Sequence, residues 1–215
     1  TGWTREERKR LIVIFVLFLG AAVFWSAFEQ AGSTLNLFAN RNTDTTFLGL
    51  SFPASWFQSV NSLFIIILAP VFAWIWVKLG RNDPSHPTKF TLGLLLLAAG
   101  FGVMVWAGML AADGTMVSPV WLLLTFFLHT CGELCLSPVG LSAMTKLAPS
   151  RVTGMMMGVW FMATAVGNLI AGLVAGLYEA FTLPQLFGAV TGFSLVFALV
   201  MAALILPIKR MLARA

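Results

Sequence analysis

Apolar residues along this 215-residue chain gather in six long runs, at about 10–38, 53–78, 88–111, 118–146, 151–177 and 185–208. Each exceeds the roughly 20 residues that span a hydrocarbon core. The period-2 alternation of a lipid-facing strand is absent, so the runs predict six transmembrane helices. Polar residues inside them fall into stripes at helical spacing. The first run carries Trp25, Glu29, Ser33 and Asn36, and the second opens with Trp56, Gln58, Asn61 and Ser62. The fourth carries Thr125, His129, Glu133 and Ser137, and the fifth Trp160, Thr164 and Asn168. The third and sixth carry almost none. The expected arrangement is four helices around a polar cavity with two outside.

The connections between runs have turn chemistry. Asn82-Asp83-Pro84-Ser85-His86-Pro87 is a polar link with two prolines, and Ser118-Pro119 reads as an N-cap followed by proline at the first helical position. The stretch from Ala39 to Phe52 is the longest loop on its side, and Asn40-Arg41-Asn42-Thr43-Asp44 is expected to be turn-rich. Pro70 and Pro138 fall inside spans, where each removes a backbone bond; for Pro138 the unpaired carbonyl belongs to Leu134, beside Glu133. Gly154-xxx-Gly158 and Gly172-xxx-Gly176 in the fifth run are expected to mark tight helix packing.

Composition agrees with a membrane protein: 59% hydrophobic, 10% charged and mean hydropathy +0.91. A soluble domain carries about 25% charged residues. The net charge of +5 does not point to nucleic acid, because the basic residues sit between apolar runs, where they set topology. Arg5, Arg8, Lys9, Arg10, Lys78, Arg81, Lys89, Lys146, Arg151, Lys209, Arg210 and Arg214 fall on one side, and only Arg41 on the other. That asymmetry predicts both termini in the cytoplasm. The charged start, WTREERKR, and the length of the run behind it predict no cleavable signal peptide.

Of eight acidic residues, only Glu29 and Glu133 fall inside spans. A carboxyl at membrane depth is costly and marks a functional site. No Lys or Arg of these spans is placed to pair with either, so they are protonated or their cationic partner lies outside these 215 residues. Cys131 and Cys135 are not metal ligands alongside His129 and Glu133. At about 100° per residue, His129 and Glu133 lie some 40° apart on one face and the thiols on the far side, which predicts packing. One intramembrane His, no HExxH and no base placed with Ser137 argue against an enzyme and against a metal.

The segments FWSAFEQAGSTLNLFANRNTD, PASWFQSVNSLFIIILAPVFAWIW, GELCLSPVGLSAMTKLAP and GMMMGVWFMATAVGNLIAG, in this order, resemble the C-terminal half of a bacterial proton-dependent oligopeptide transporter, a branch of the major facilitator superfamily. The resemblance covers all six spans. It implies two six-helix halves around a midplane site, with the N-terminal half, and its ExxERF-like motif, absent from this sequence. It further implies that Glu29 pairs with a lysine of the other half in proton coupling or gating, and that Trp25 is a pocket aromatic. Asn61 and Glu133 are implied to hold the peptide's amino terminus, with Glu133 also in coupling. Ser137 stands on the Glu133 stripe beside the substrate. Trp160, Phe161 and Thr164 are implied to wall a side-chain pocket. His129 matches no family role and is expected to be a packing or polar pocket residue.

The expectation is therefore an all-α membrane protein, the six-helix half of a proton-coupled symporter of di- and tripeptides in the bacterial inner membrane. It is expected to need no cofactor, with protons as the coupling ion, and not to transport without the missing half. Alternatives are a major facilitator half for another small substrate (nitrate, a drug or a metabolite) and a self-associating, non-transporting membrane fragment.

Overall fold

The computed structural model describes residues 2–47 and 49–213. Among the described residues there are seven α-helices: α1 (Arg5–Phe28), α2 (Thr34–Asn42), α3 (Phe57–Leu79), α4 (His86–Leu110), α5 (Val120–Leu147), α6 (Thr153–Ala175) and α7 (Leu183–Ala213). Six segments of the described residues are long and apolar enough to cross a membrane, the first being α1 and α2 together. An even number of spans returns the chain to the side on which it starts. Arg5, Arg8, Lys9 and Arg10 lie in the first turns of α1, which a capping box opens. Thr4 Oγ1 accepts from the Glu7 amide at 3.1 Å, and the Thr4 amide donates to Glu7 Oε2 at 2.8 Å. Arg214 lies outside the described residues.

The first span is not one continuous helix. A 3₁₀ turn, Glu29–Gly32, follows α1, and Ser33 (φ −125°, ψ −92°) leaves the helical region before α2 begins. Gln30 holds this break together. It is fully buried, and its Nε2 donates to the carbonyls of Ser26 (3.1 Å) and Ala171 (3.2 Å), the latter on α6. Its Oε1 accepts from the hydroxyls of Ser33 (3.2 Å) and Thr34 (3.0 Å). Gln30→Leu keeps the volume but strands those groups in an apolar interior. It is expected to cost about 2–3 kcal/mol, read as a lowered thermal midpoint in detergent.

Past the break, Asn40–Asn42 complete α2 instead of forming a turn. Intrahelical bonds continue there because the polar side chains have solvent on their open side. Thr43 bridges to Val117 in parallel, with the Asp44 amide on the Val117 carbonyl and the Val117 amide on the Asn42 carbonyl, both at 2.8 Å. That stitch ties the end of the first span to the start of the fourth. A hairpin of β1 (Thr46–Phe47) and β2 (Leu50–Ser51), with Gly49 at φ +79°, leads to α3. Arg41 pairs with Glu179 and lies 5.7 Å from the Tyr178 ring centre. Burial pushes the Tyr178 phenol up to about 12.

The core lies between α1, α4, α5 and α7, around Leu17, Phe24, Phe90, Phe101, Met104 and Phe187. The third span is not an outer helix: α4 packs on α7 and α5 and is buried over more than half of its most apolar stretch. The peripheral span is the second. None of the most apolar part of α3 is buried, and its main partner is α5. Polarity misjudged the third span because a helix with no polar stripe fits a protein interior as well as it fits lipid.

Small residues set the closest approaches, but not where the fifth-span motifs suggest. A Cβ added to Gly154, Gly158 or Gly172 meets nothing within 4 Å, and at Gly176 it meets only carbonyls of its own segment. Spacing places small residues on one face; it does not say that the face is covered. The tight contacts are elsewhere. A Cβ on Gly132 would lie 2.8 Å from the Gly93 carbonyl, and one on Gly93 would lie 3.0 Å from the Gly132 carbonyl, so α4 and α5 meet backbone to backbone. Gly167 of α6 sits against Trp25 and Ser26 of α1 in the same way.

Candidate functional site

Polar groups from near the start of α3 and the middle of α5 converge where the two helices meet. Asn61 Nδ2 donates to Glu133 Oε2 at 3.1 Å and to Thr130 Oγ1 at 3.0 Å. Thr130 in turn donates to the Phe126 carbonyl, one turn back in α5, at 2.7 Å. Asn61 and Glu133 are half-buried, so the pair has a protein side and an open side. On the open side stand one Glu133 oxygen and the Asn61 carbonyl oxygen, neither taking a hydrogen bond from a described residue. Two oxygen acceptors, one of them a carboxylate, form an arrangement for a cationic donor.

Glu29 stands at the C-terminal end of α1, half-buried, and its side chain has no hydrogen-bond or ion-pair partner among the described residues. Its carboxyl lies within electrostatic reach of Glu133. Trp25, one turn earlier, stacks edge-on against Phe24 and Phe28 at 5.6 and 5.2 Å, and its Nε1 is buried without a partner among the described residues. Ser137 Oγ, one turn past Glu133, is also buried without a partner among the described residues.

The remaining stripe residues divide. Phe161 is exposed and Thr164 half-buried on α6. Trp160 is only 5% exposed; its ring is edge-on to Phe90 at 6.4 Å and fills the space left by Gly140 of α5. In this six-helix unit Trp160 is a packing residue. Thr125 and His129 do not face the same way as Glu133. Thr125 donates to the Gly100 carbonyl of α4, and the His129 ring lies against Gly100 and 4.8 Å from the Phe101 ring centre. His129 is 1% exposed, so it belongs to the α4–α5 seam while Glu133 turns to α3. Cys131 and Cys135 are buried free thiols, and no cluster of metal-ligating side chains occurs among the described residues. Thr130 was missing from the sequence-derived set, although it stands three residues before Glu133 and thus on the same helix face.

Glu29, Asn61 and Glu133 are each half-buried. Two apolar grooves, of about 590 and 680 Å³, open elsewhere: one around Ser26, Val174 and Phe193, the other around Trp56, Val60 and Leu123. Neither is lined by Glu29, Asn61 or Glu133.

A family model for the POT family matches residues 3–193. The chain belongs to the POT family. It is 49% identical over 97% of its length to a peptide transporter of Yersinia enterocolitica, YePEPT, and 37% identical over 95% to a di-/tripeptide transporter of Lactococcus lactis. It spans only 42% and 41% of those relatives' lengths. Among solved structures, a peptide transporter POT in complex with sulfate superposes at a TM-score of 0.88 with 44% identity, over 97% of this chain and 42% of that one. A POT family transporter in complex with 5-aminolevulinic acid superposes at 0.88 with 32% identity, over 95% and 43%. This POT-family chain is thus a multi-pass membrane protein with six helices of a major facilitator fold.

Proposed function

We propose that this chain is the C-terminal six-helix half of a proton-coupled importer of di- and tripeptides, supplying the side of the site that binds the peptide's amino terminus. The observation that carries this reading is the Asn61–Glu133 pair, an open two-oxygen acceptor set fixed between two spans. A peptide's terminal ammonium offers three charged N–H donors to it. The relatives named as peptide transporters, each more than twice the length of this chain, support the substrate class and the need for a second half.

The protein sits in the bacterial inner membrane with both termini in the cytoplasm, the side of twelve of the thirteen basic residues. Protons are the coupling ion, carried by Glu29 and Glu133. Glu29 meets a cation of the missing half, since none of the described residues pairs with it. The uncovered apolar surface of α3 and the vacant small-residue motifs of α6 are the faces on which that half packs. Trp25, Ser137, Phe161 and Thr164 line the peptide, with Trp160 behind them.

Uptake of a labelled dipeptide into proteoliposomes under an inward proton gradient tests the reading. The chain alone is expected to accumulate none. A chimera in which it replaces the matching segment of YePEPT is expected to accumulate peptide. Accumulation by the chain alone would show that two copies complete the site. A folded chimera that binds no peptide would overturn the substrate assignment.

A further inference from the structure

A side-chain amide has a donor side and an acceptor side, and the one turned to the open cavity decides what the site can hold. Asn61 gives its Nδ2 to both Thr130 Oγ1 and Glu133 Oε2. Glu133 alone would not keep that orientation. An ionised carboxylate only accepts, whereas a protonated one can also donate and would then draw Asn61 Oδ1 toward itself. Thr130 removes the choice. It is fully buried, and its hydroxyl proton is committed to the Phe126 carbonyl at 2.7 Å. The Thr130 oxygen can therefore only accept, and it takes an N–H from Asn61 whatever the state of Glu133. The Asn61 carbonyl is left turned outward.

We propose that Thr130 is a specificity-determining positioning residue: its hydroxyl locks the Asn61 amide with Oδ1 toward the substrate, so the Asn61 side of the site takes a free ammonium over an acyl carbonyl in both protonation states of Glu133. This rests on the assignment of Asn61 and Glu133 as the amino-terminus site. An ammonium placed there donates to both oxygens. An N-acetyl carbonyl placed beside Asn61 Oδ1 faces an acceptor there whatever the state of Glu133, and faces two when Glu133 is ionised, the type of mismatch that binding sites reject most strongly. Without the Thr130 hydroxyl the amide is free to turn and can offer Nδ2 to the capped peptide.

The test has two readouts. In the first, Asn61 side-chain amide proton exchange is followed by NMR in the detergent-solubilised chain, with no peptide present. Slow exchange is expected for the unaltered chain and for Thr130→Ser, which keeps the hydroxyl, and fast exchange for Thr130→Val. In the second, the affinities of dialanine and N-acetyl-dialanine are compared in the YePEPT chimera. Thr130→Val is expected to narrow the free-over-capped ratio about tenfold, and Thr130→Ser to keep it. Should Thr130→Val not fold, Thr130→Ala carries the same comparison. Slow Asn61 exchange in the variant lacking the hydroxyl, or an unchanged ratio, overturns the lock while leaving the peptide site standing. A folded unaltered chimera that binds neither peptide overturns the site assignment itself, and with it the proposed selectivity.

Discussion

Glu133→Gln in the chimera is expected to lower dipeptide affinity about 10- to 100-fold and to leave the fold unchanged. The substitution is nearly isosteric, and the glutamine carbonyl still accepts from Asn61 Nδ2, so the contact between α3 and α5 survives. What is lost is the charge on the acceptor that faces the ammonium. A hydrogen bond to a charged group contributes roughly 1.5–3 kcal/mol, which is the stated range in affinity. Equilibrium binding of a labelled dipeptide reads the first part, and the thermal midpoint by circular dichroism reads the second. Unchanged affinity would move the amino terminus away from Glu133. A fall in affinity together with a lowered midpoint would mean that the residue serves the packing of α3 and not the ligand.

Gly132→Leu is the substitution expected to damage the fold most. The first atom of any side chain there points at the Gly93 carbonyl at 2.8 Å, and backbone cannot swing aside as a flexible side chain can. Phe24 and Leu96 close the other directions at 3.4 Å. Overpacking of this kind costs about 3 kcal/mol at the upper end of its usual range, and here it separates α4 from α5, the seam that also holds His129. The matched control is Gly154→Leu, where nothing lies within 4 Å. In the six-helix chain that control is expected to move the midpoint little. Equal effects of the two substitutions would mean that the α4–α5 contact is not what limits stability.

The contrast shows what a sequence of this kind can and cannot disclose. Six spans and the two intramembrane carboxyls were legible, because hydropathy over twenty residues and a charge within it are local signals. That Asn61 turns inward was legible as well, since a polar amide facing lipid has no partner; its place beside Glu133 came only from the family resemblance. The direction of each stripe was not legible. His129 and Glu133 stand some 40° apart on an ideal helix, yet α4 takes one and α3 the other, because neighbouring helices divide a helix surface within that angle. Gly154 and Gly158 are spaced like a packing motif, but spacing says nothing about whether a partner helix is present. Gln30 carries no signal of its own in the sequence. Its role as the pin of the first-span break depends on Ala171, 141 residues away, which no local pattern announces.

The dependence of α3 on α5 also sets an order of events during synthesis. Asn61 is made 69 residues before Thr130 and 72 before Glu133. The second span therefore enters the bilayer with its amide unpaired and its apolar face against lipid, and it stays so while the third span is inserted. Only when the fourth span arrives does the amide find its acceptors, at the same moment that the Thr43–Val117 stitch can close on the far side. The substrate site and the clasp between the first and fourth spans are thus completed in one step of membrane insertion, and a chain that stalls before Val117 has neither.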